Sequence, residues 1–312
     1  MEWSDYVDEL VARHGSLAAV AEKLAALRGY VDDVGSVERA LRRLRGRGQL
    51  GGGTWGTRAL AAFGLPTAAD ERLRWMGAYH SRFSDLPVPL CADLVRAWDR
   101  PPVSESAHAT TWLALAHTTL ALRSADRDGA ALHVKRARAS AGVAPVEARI
   151  ELALVSAFVD AKGSAAVLAS IAPMFDLPMP AAERSCLHAR WIDQRAYALN
   201  RVLAHAEAEA LYRTIEDDEV PFVACRKKNG LAYAIWKQGR LGEARMLARE
   251  AASHAGDGGH VRLRAMSLSM LGQIAAEIGD VTEAREAKRR AETIVARLDD
   301  EALKLRFARK HG

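Results

Sequence analysis

Cysteine is scarce in this chain: Cys91, Cys186 and Cys225 are the only three in 312 residues, odd in number and far apart. They supply neither a bridged framework nor a metal-type Cys pair, which excludes a disulfide scaffold and makes a reducing cytoplasm the expected compartment. Aromatics amount to 6% and β-branched residues are few, so an all-β fold is excluded as well. No run approaches the roughly 18 apolar residues of a membrane span. Met1-Glu2-Trp3-Ser4-Asp5 carries acids where a secretory leader needs Lys or Arg before an apolar stretch.

Catalytic chemistry is equally thin. Ten histidines are scattered without a His-x-x-x-His pair, and Cys186 and His188 stand without the further ligands of a zinc site. The acids Glu216, Asp217, Asp218 and Glu219 read as a solvated loop, because paired carboxylates for acid-base work need burial and a fixed separation. Gly46-Arg47-Gly48-Gln49-Leu50-Gly51 matches G-x-G-x-x-G by letter. That motif works only between a strand and a helix, and here a basic helix precedes it. The segment therefore reads as a loop, with a phosphate backbone as a candidate neighbour. No enzyme, metal or cofactor is expected.

What is abundant is Ala, Leu and Arg. With 49% hydrophobic and 27% charged residues the chain can bury a sizeable core, and disorder is excluded. Ala and straight-chain residues lose little rotamer freedom in a helix, so the expected fold class is all-α.

Internal repetition organises the second half. Leu231-Ala232, Gly239-Arg240-Leu241-Gly242-Glu243-Ala244 and Ala251 return forty residues later as Leu271-Gly272, Gly279-Asp280-Val281-Thr282-Glu283-Ala284 and Ala291. The small residues suit close crossings of antiparallel helices. Weaker copies run through Ala196, Ala208, Tyr212 and Ile215; through Ala153, Ala165 and Ala172; and through Thr118, Ala130 and Ala137. At these residues the sequence resembles the tetratricopeptide repeat, a helix-turn-helix unit of about 34 residues. The resemblance implies an α-solenoid over 101–312. Residues 67–100, with Trp75 to Trp98 broken at Leu86-Pro87-Val88-Pro89, read as a linker and a degenerate capping pair.

The first 66 residues form a separate unit of four short helices, over Asp5 to Arg13, Ser16 to Leu27, Ser36 to Arg45 and Thr54 to Phe63. Each has one apolar stripe, such as Val37, Leu41 and Leu44 in the third. The net charge is +5, and six arginines fall between Arg39 and Arg58 without an acid. On the third helix the apolar stripe leaves Arg39, Arg42, Arg43 and Arg45 on the opposite side, with Arg47 following. Guanidinium forks suit phosphate oxygens and guanine edges, and a helix of this size fits the major groove.

Ala18-Ala19-Val20-Ala21, Val37-Glu38-Arg39 and Ala59-Leu60-Ala61-Ala62-Phe63-Gly64-Leu65 resemble lambda-repressor-like helix-turn-helix domains. The connection from Arg28 to Gly35, with Asp32 and Asp33, is longer than that family's tight turn. The resemblance implies DNA contact through Ser36 at the helix N-cap, Arg39, Arg42, Arg43, Arg45, Arg47 and Arg58.

The tetratricopeptide resemblance implies a concave groove lined by the first helix of each pair. Mapped here it offers Arg190, Asp193, Tyr197 and Asn200, then Arg226, Asn229 and Tyr233, then Arg264, Ser269 and Gln273. Asn can bond an extended backbone and Arg a carboxylate, so a peptide or protein is the expected occupant. The other reading of Tyr197 and Tyr233 is as filling of the seam between helices. Together the two units point to a DNA-binding regulator, expected as a homodimer, whose groove senses a peptide or protein partner. The alternative is a non-enzymatic scaffold within a larger complex.

Overall fold

In the computed structural model, residues 1–27, 33–160, 164–216 and 220–311 are described. Most of the turn beginning at Arg28 and the acids Asp217, Asp218 and Glu219 lie outside them. The described residues are all-helical, with seventeen α-helices and short 3-10 turns. None of these helices is long and apolar enough to cross a membrane.

The first four helices, α1 (Trp3–His14), α2 (Leu17–Ala25), α3 (Val34–Arg45) and α4 (Gly53–Phe63), start and stop where local chemistry dictates. The Ser16 side chain accepts from Ala19 N–H to open α2, and glycines with positive φ follow α1 and α4. Their stripes meet in one core, with Trp3, Tyr6, Val20, Leu24, Val37, Leu41, Leu44 and Ala59 all buried. Leu27, the last residue of the expected second helix, lies past the end of α2 and is exposed. Trp3 is the organising side chain. Its backbone N–H donates to the Gly48 carbonyl and its indole N–H to the Leu50 carbonyl at 2.9 Å. A Cβ on Gly52 would sit 2.2 Å from its ring. The glycine-rich segment is therefore a packed loop clamped on Trp3, with no strand before it.

After α5 (Thr67–Gly77) and α6 (Val88–Trp98), the helices pack as consecutive neighbours. They are α7 (Ala107–Arg123) with α8 (Arg127–Ser140), α9 (Val146–Val159) with α10 (Ser164–Ile171), α11 (Ala181–Arg201) with α12 (His205–Arg213), α13 (Pro221–Lys237) with α14 (Leu241–Asp257), and α15 (Val261–Ile278) with α16 (Val281–Leu298). The first helices of successive pairs also touch one another, and the last helix, α17 (Glu301–His311), returns to α7. Ala232, Ala244, Ala251, Ala291, Ala196, Ala208, Thr118, Ala130 and Ala137 are all fully buried. A Cβ on Gly272 would lie 3.3 Å from the Ala284 carbonyl, so the crossing admits little more than Gly there.

Two expectations are corrected. Ala165 and Ala172 are exposed, and Leu168 and Ile171 fill the core against Ile150 and Leu154 instead. The second helix of that pair is cut short by a 3-10 turn at Ala172–Asp176 containing Pro173, which cannot continue the hydrogen-bond ladder. Helices α5 and α6 do not form a capping pair with each other; both pack on α7, and the chain between them travels elsewhere.

Candidate functional site

Helix α3 buries Val37, Ala40, Leu41 and Leu44 and turns Arg39, Arg42, Arg43 and Arg45 outward. Asp33 caps the helix, accepting from the Ser36 N–H at 3.0 Å and the Ser36 hydroxyl at 2.6 Å. Ser36 therefore lies in the first turn and not at the N-cap, because Val34 and Gly35 already have helical backbone.

Most of the arginines have partners. Arg39 donates to the Ser36 hydroxyl at 2.9 Å, Arg42 pairs with Glu38 at 2.5 Å, and Arg45 reaches across to Asp8 on α1 at 2.8 Å. Arg47 donates to the Gly51 carbonyl, and Arg58 stacks over the Trp55 ring at 4.7 Å. Arg39, Arg42, Arg43, Arg45 and Arg47 stay exposed; the Arg42 and Arg45 side chains retain 67% and 55% exposure. Exposed pairs of this kind contribute about 0–1 kcal/mol each, so other anions can compete for these guanidinium groups.

The inner layer is arranged differently from the expected open groove. The segment from Ala78 to Leu86, linking α5 to α6, lies across the first helices of the array. Arg190 stacks over the Tyr79 ring at 4.3 Å and pairs with buried Glu151, which also accepts from the Tyr79 N–H at 3.3 Å. The Tyr79 hydroxyl accepts from Arg226 at 2.8 Å and Arg262 at 3.1 Å. His80 meets Glu183 at 2.8 Å and the Phe222 ring. Asp85 accepts from the backbone N–H of Arg262 at 2.7 Å, at the positive N-terminus of α15. Farther along, Arg123 donates to the Leu86 carbonyl at 2.7 Å.

Charge dominates this centre. Burial alone would push the Tyr79 phenol up, but Arg226, Arg262 and Arg190 together outweigh it and hold it below its ordinary value. Arg226 is balanced by Asp193 at 2.8 Å, and Arg262 by Asp300 at 3.1 Å. Arg306 on α17 is exposed, makes no ion pair among the described residues, and stands within electrostatic reach of Arg262, Arg226, Tyr79 and Tyr197.

Of the expected groove residues, Arg190, Asp193 and Arg226 converge on one point and the others do not join them. Asn200 meets His205 at 2.8 Å, and Asn229 accepts from Ser267 at 3.0 Å, so both amides tie neighbouring helices together. Tyr233 is half-buried beside Trp236 and His205, filling a seam. Tyr197 is 60% exposed. Arg264 packs beside Gly256, and it is Arg262 that faces inward. Ser269 is buried, and Gln273 donates to its carbonyl.

Tyr79, His80, Asp85, Glu151, Arg262 and Asp300 were not anticipated. The available signal was the recurrence of Arg190, Arg226 and Arg262 at thirty-six-residue intervals, close to the repeat length. No group of three or more His, Cys, Asp or Glu among the described residues is placed to hold a metal. Compared with models of known protein families and with curated proteins, the chain matches none.

Proposed function

We propose that this protein is a DNA-binding regulator in which an N-terminal helix-turn-helix-like unit is governed by a tetratricopeptide-like array that receives a peptide or protein. The observation that carries the reading is the two-sidedness of α3: an apolar face fixed in its own core, and opposite it arginines held outward in weak, exposed pairs. A duplex offers those guanidinium groups phosphates in exchange for Glu38 and Asp8. A homodimer would set two such helices on paired half-sites.

The test is fluorescence anisotropy with genomic DNA fragments at several salt concentrations. Neutralising some three to five phosphates gives log affinity a slope of about −3 to −5 against log salt. Replacing Arg42→Ala together with Arg43→Ala should flatten it by about 2. No binding at low salt would remove the reading.

One observation favours a second reading, a non-enzymatic scaffold. Glu38, Asp8 and Asp33 lie among the arginines of α3 and reduce the positive surface to a mixed one suited to a protein partner. A stoichiometric complex recovered from cytoplasm and unaffected by nuclease would favour it.

A further inference from the structure

The segment from Ala78 to Leu86 is held by the array the way a bound peptide would be. Its backbone is extended at Ala78 and closes into a 3-10 turn over Arg82–Asp85, and its side chains and carbonyls are gripped in turn by α9, α11, α13, α15 and α7. The groups it presents are acceptors: the phenol oxygen of Tyr79 to Arg226 and Arg262, the carboxylate of Asp85 to the backbone N–H of Arg262, and the carbonyl of Leu86 to Arg123. Ala78, Phe83 and Ser84 are buried.

The fit is incomplete. Arg226 Nε and His80 Nδ1 are buried without a hydrogen-bond partner among the described residues. A single phenol oxygen is shared by two guanidinium groups, each of which has only one carboxylate besides it among the described residues, Asp193 for Arg226 and Asp300 for Arg262. Arg306, within electrostatic reach of them and of exposed Tyr197, adds a cation that makes no ion pair among the described residues.

We infer that the segment from Ala78 to Leu86 is a strap occupying in cis a site for an acidic peptide, whose carboxylates displace Tyr79 from Arg226 and Arg262 and engage Arg306. The strap continues directly from α5, which links it to the N-terminal unit through Pro66, so displacement would loosen the connection between that unit and the array. The inference rests on the reading that the inner face receives a peptide. It is independent of whether α3 meets DNA.

The consequence is quantitative. A site open only a small fraction of the time binds more weakly by that fraction. In the full-length protein, a fluorescein-labelled hexaglutamate peptide should therefore bind Tyr79→Ala about tenfold or more tighter than wild type. Tyr79→Phe, which keeps the ring under Arg190 and removes only the oxygen, should fall between them. Adding Arg226→Gln and Arg262→Gln to Tyr79→Ala should abolish the gain, and labelled hexalysine should bind none of these proteins.

Wild type supplies an arm that does not depend on any variant folding. At saturating hexaglutamate, hydrogen exchange of the amides at 79–86 should rise. Equal binding by wild type and Tyr79→Ala, no binding by either, gain retained without Arg226 and Arg262, or unchanged exchange at 79–86 with peptide bound would each overturn the inference. The substitutions Arg42→Ala and Arg43→Ala, which bear on the DNA reading, serve to separate the two: loss of hexaglutamate binding in them would place the peptide on α3 and overturn the strap.

Discussion

At Asp300 one carboxylate serves three donors. It is fully buried and accepts from Arg123 at 3.0 Å, Arg262 at 3.1 Å and the backbone N–H of Leu303 at 2.9 Å. Arg123 is itself 2% exposed, so its charge has almost no water to fall back on. Removing a partner from a buried pair leaves an uncompensated charge, at a cost of about 3–5 kcal/mol. Asp300→Ala should therefore lower unfolding stability by that amount in urea, with Asp300→Asn losing less because it keeps an acceptor. A change of under about 1 kcal/mol for the alanine variant would show that the pair can be solvated where it stands. The residue scale is also where the sequence was least legible. That Arg45 would reach Asp8, or Tyr79 would lie under Arg190 and against Arg262, depends on contacts between residues as much as 183 positions apart. No local pattern encodes them.

The helix scale was more legible, for a steric reason. Where α13 to α16 cross, the backbones approach so closely that Ala or Gly is required, and such a requirement is visible as spacing. At the α9 and α10 crossing the spacing misleads, because Ala is abundant everywhere in the chain and Pro173 breaks the register that Ala165 and Ala172 suggest. The start of α3 was placed late for a similar reason: Asp33 and Ser36 are both good capping residues, and only the backbone decides between them. Helix contacts also set opposite signs for two glycines that look alike in sequence. A Cβ on Gly230 of α13 would lie 2.1 Å from the Tyr212 ring, and that ring cannot swing away because its hydroxyl donates to Asp193 at 2.8 Å. Gly230→Ala should cost about 1–3 kcal/mol by overpacking, despite Ala being the better helix former. Gly242 in α14 has nothing within 4 Å, so Gly242→Ala should be neutral or stabilising by up to about 1 kcal/mol. Thermal melts of the two variants would compare them directly, and a shift of the same sign in both would sink the argument.

Across the whole molecule, packed helices bring histidines into places where they titrate against one another, and the sum fixes how stability responds to pH. On α8, His133 is held below its ordinary value by burial first and then by His117 and Arg136; its ring stacks on His117 at 4.8 Å. His188 on α11 is lowered chiefly by burial, between Phe175 and Trp191. Each of these two favours a neutral ring in the folded state. Their contribution is complete above the unfolded value near 6.5 and drains away as pH falls through it toward the folded one. His108 runs the other way. The hydrogen bond to Asp70 raises it, so its contribution is complete below about 6.5 and is lost as pH rises through the folded value. These two, with His14 lowered as well, oppose one, and the melting temperature should fall between about pH 7.5 and pH 5.5. His133→Gln with His188→Gln should remove most of the fall. A second loss should follow in stronger acid, where Asp99 is held down to about 2 by its hydrogen bond with His117, against burial, and by Arg136. Its stabilisation is intact above the ordinary carboxylate range and disappears as pH falls toward 2. A melting temperature that climbed from pH 7.5 to 5.5 in the wild-type chain would mean that the two half-buried rings accept protons without strain, and that their helices part more readily than this packing implies.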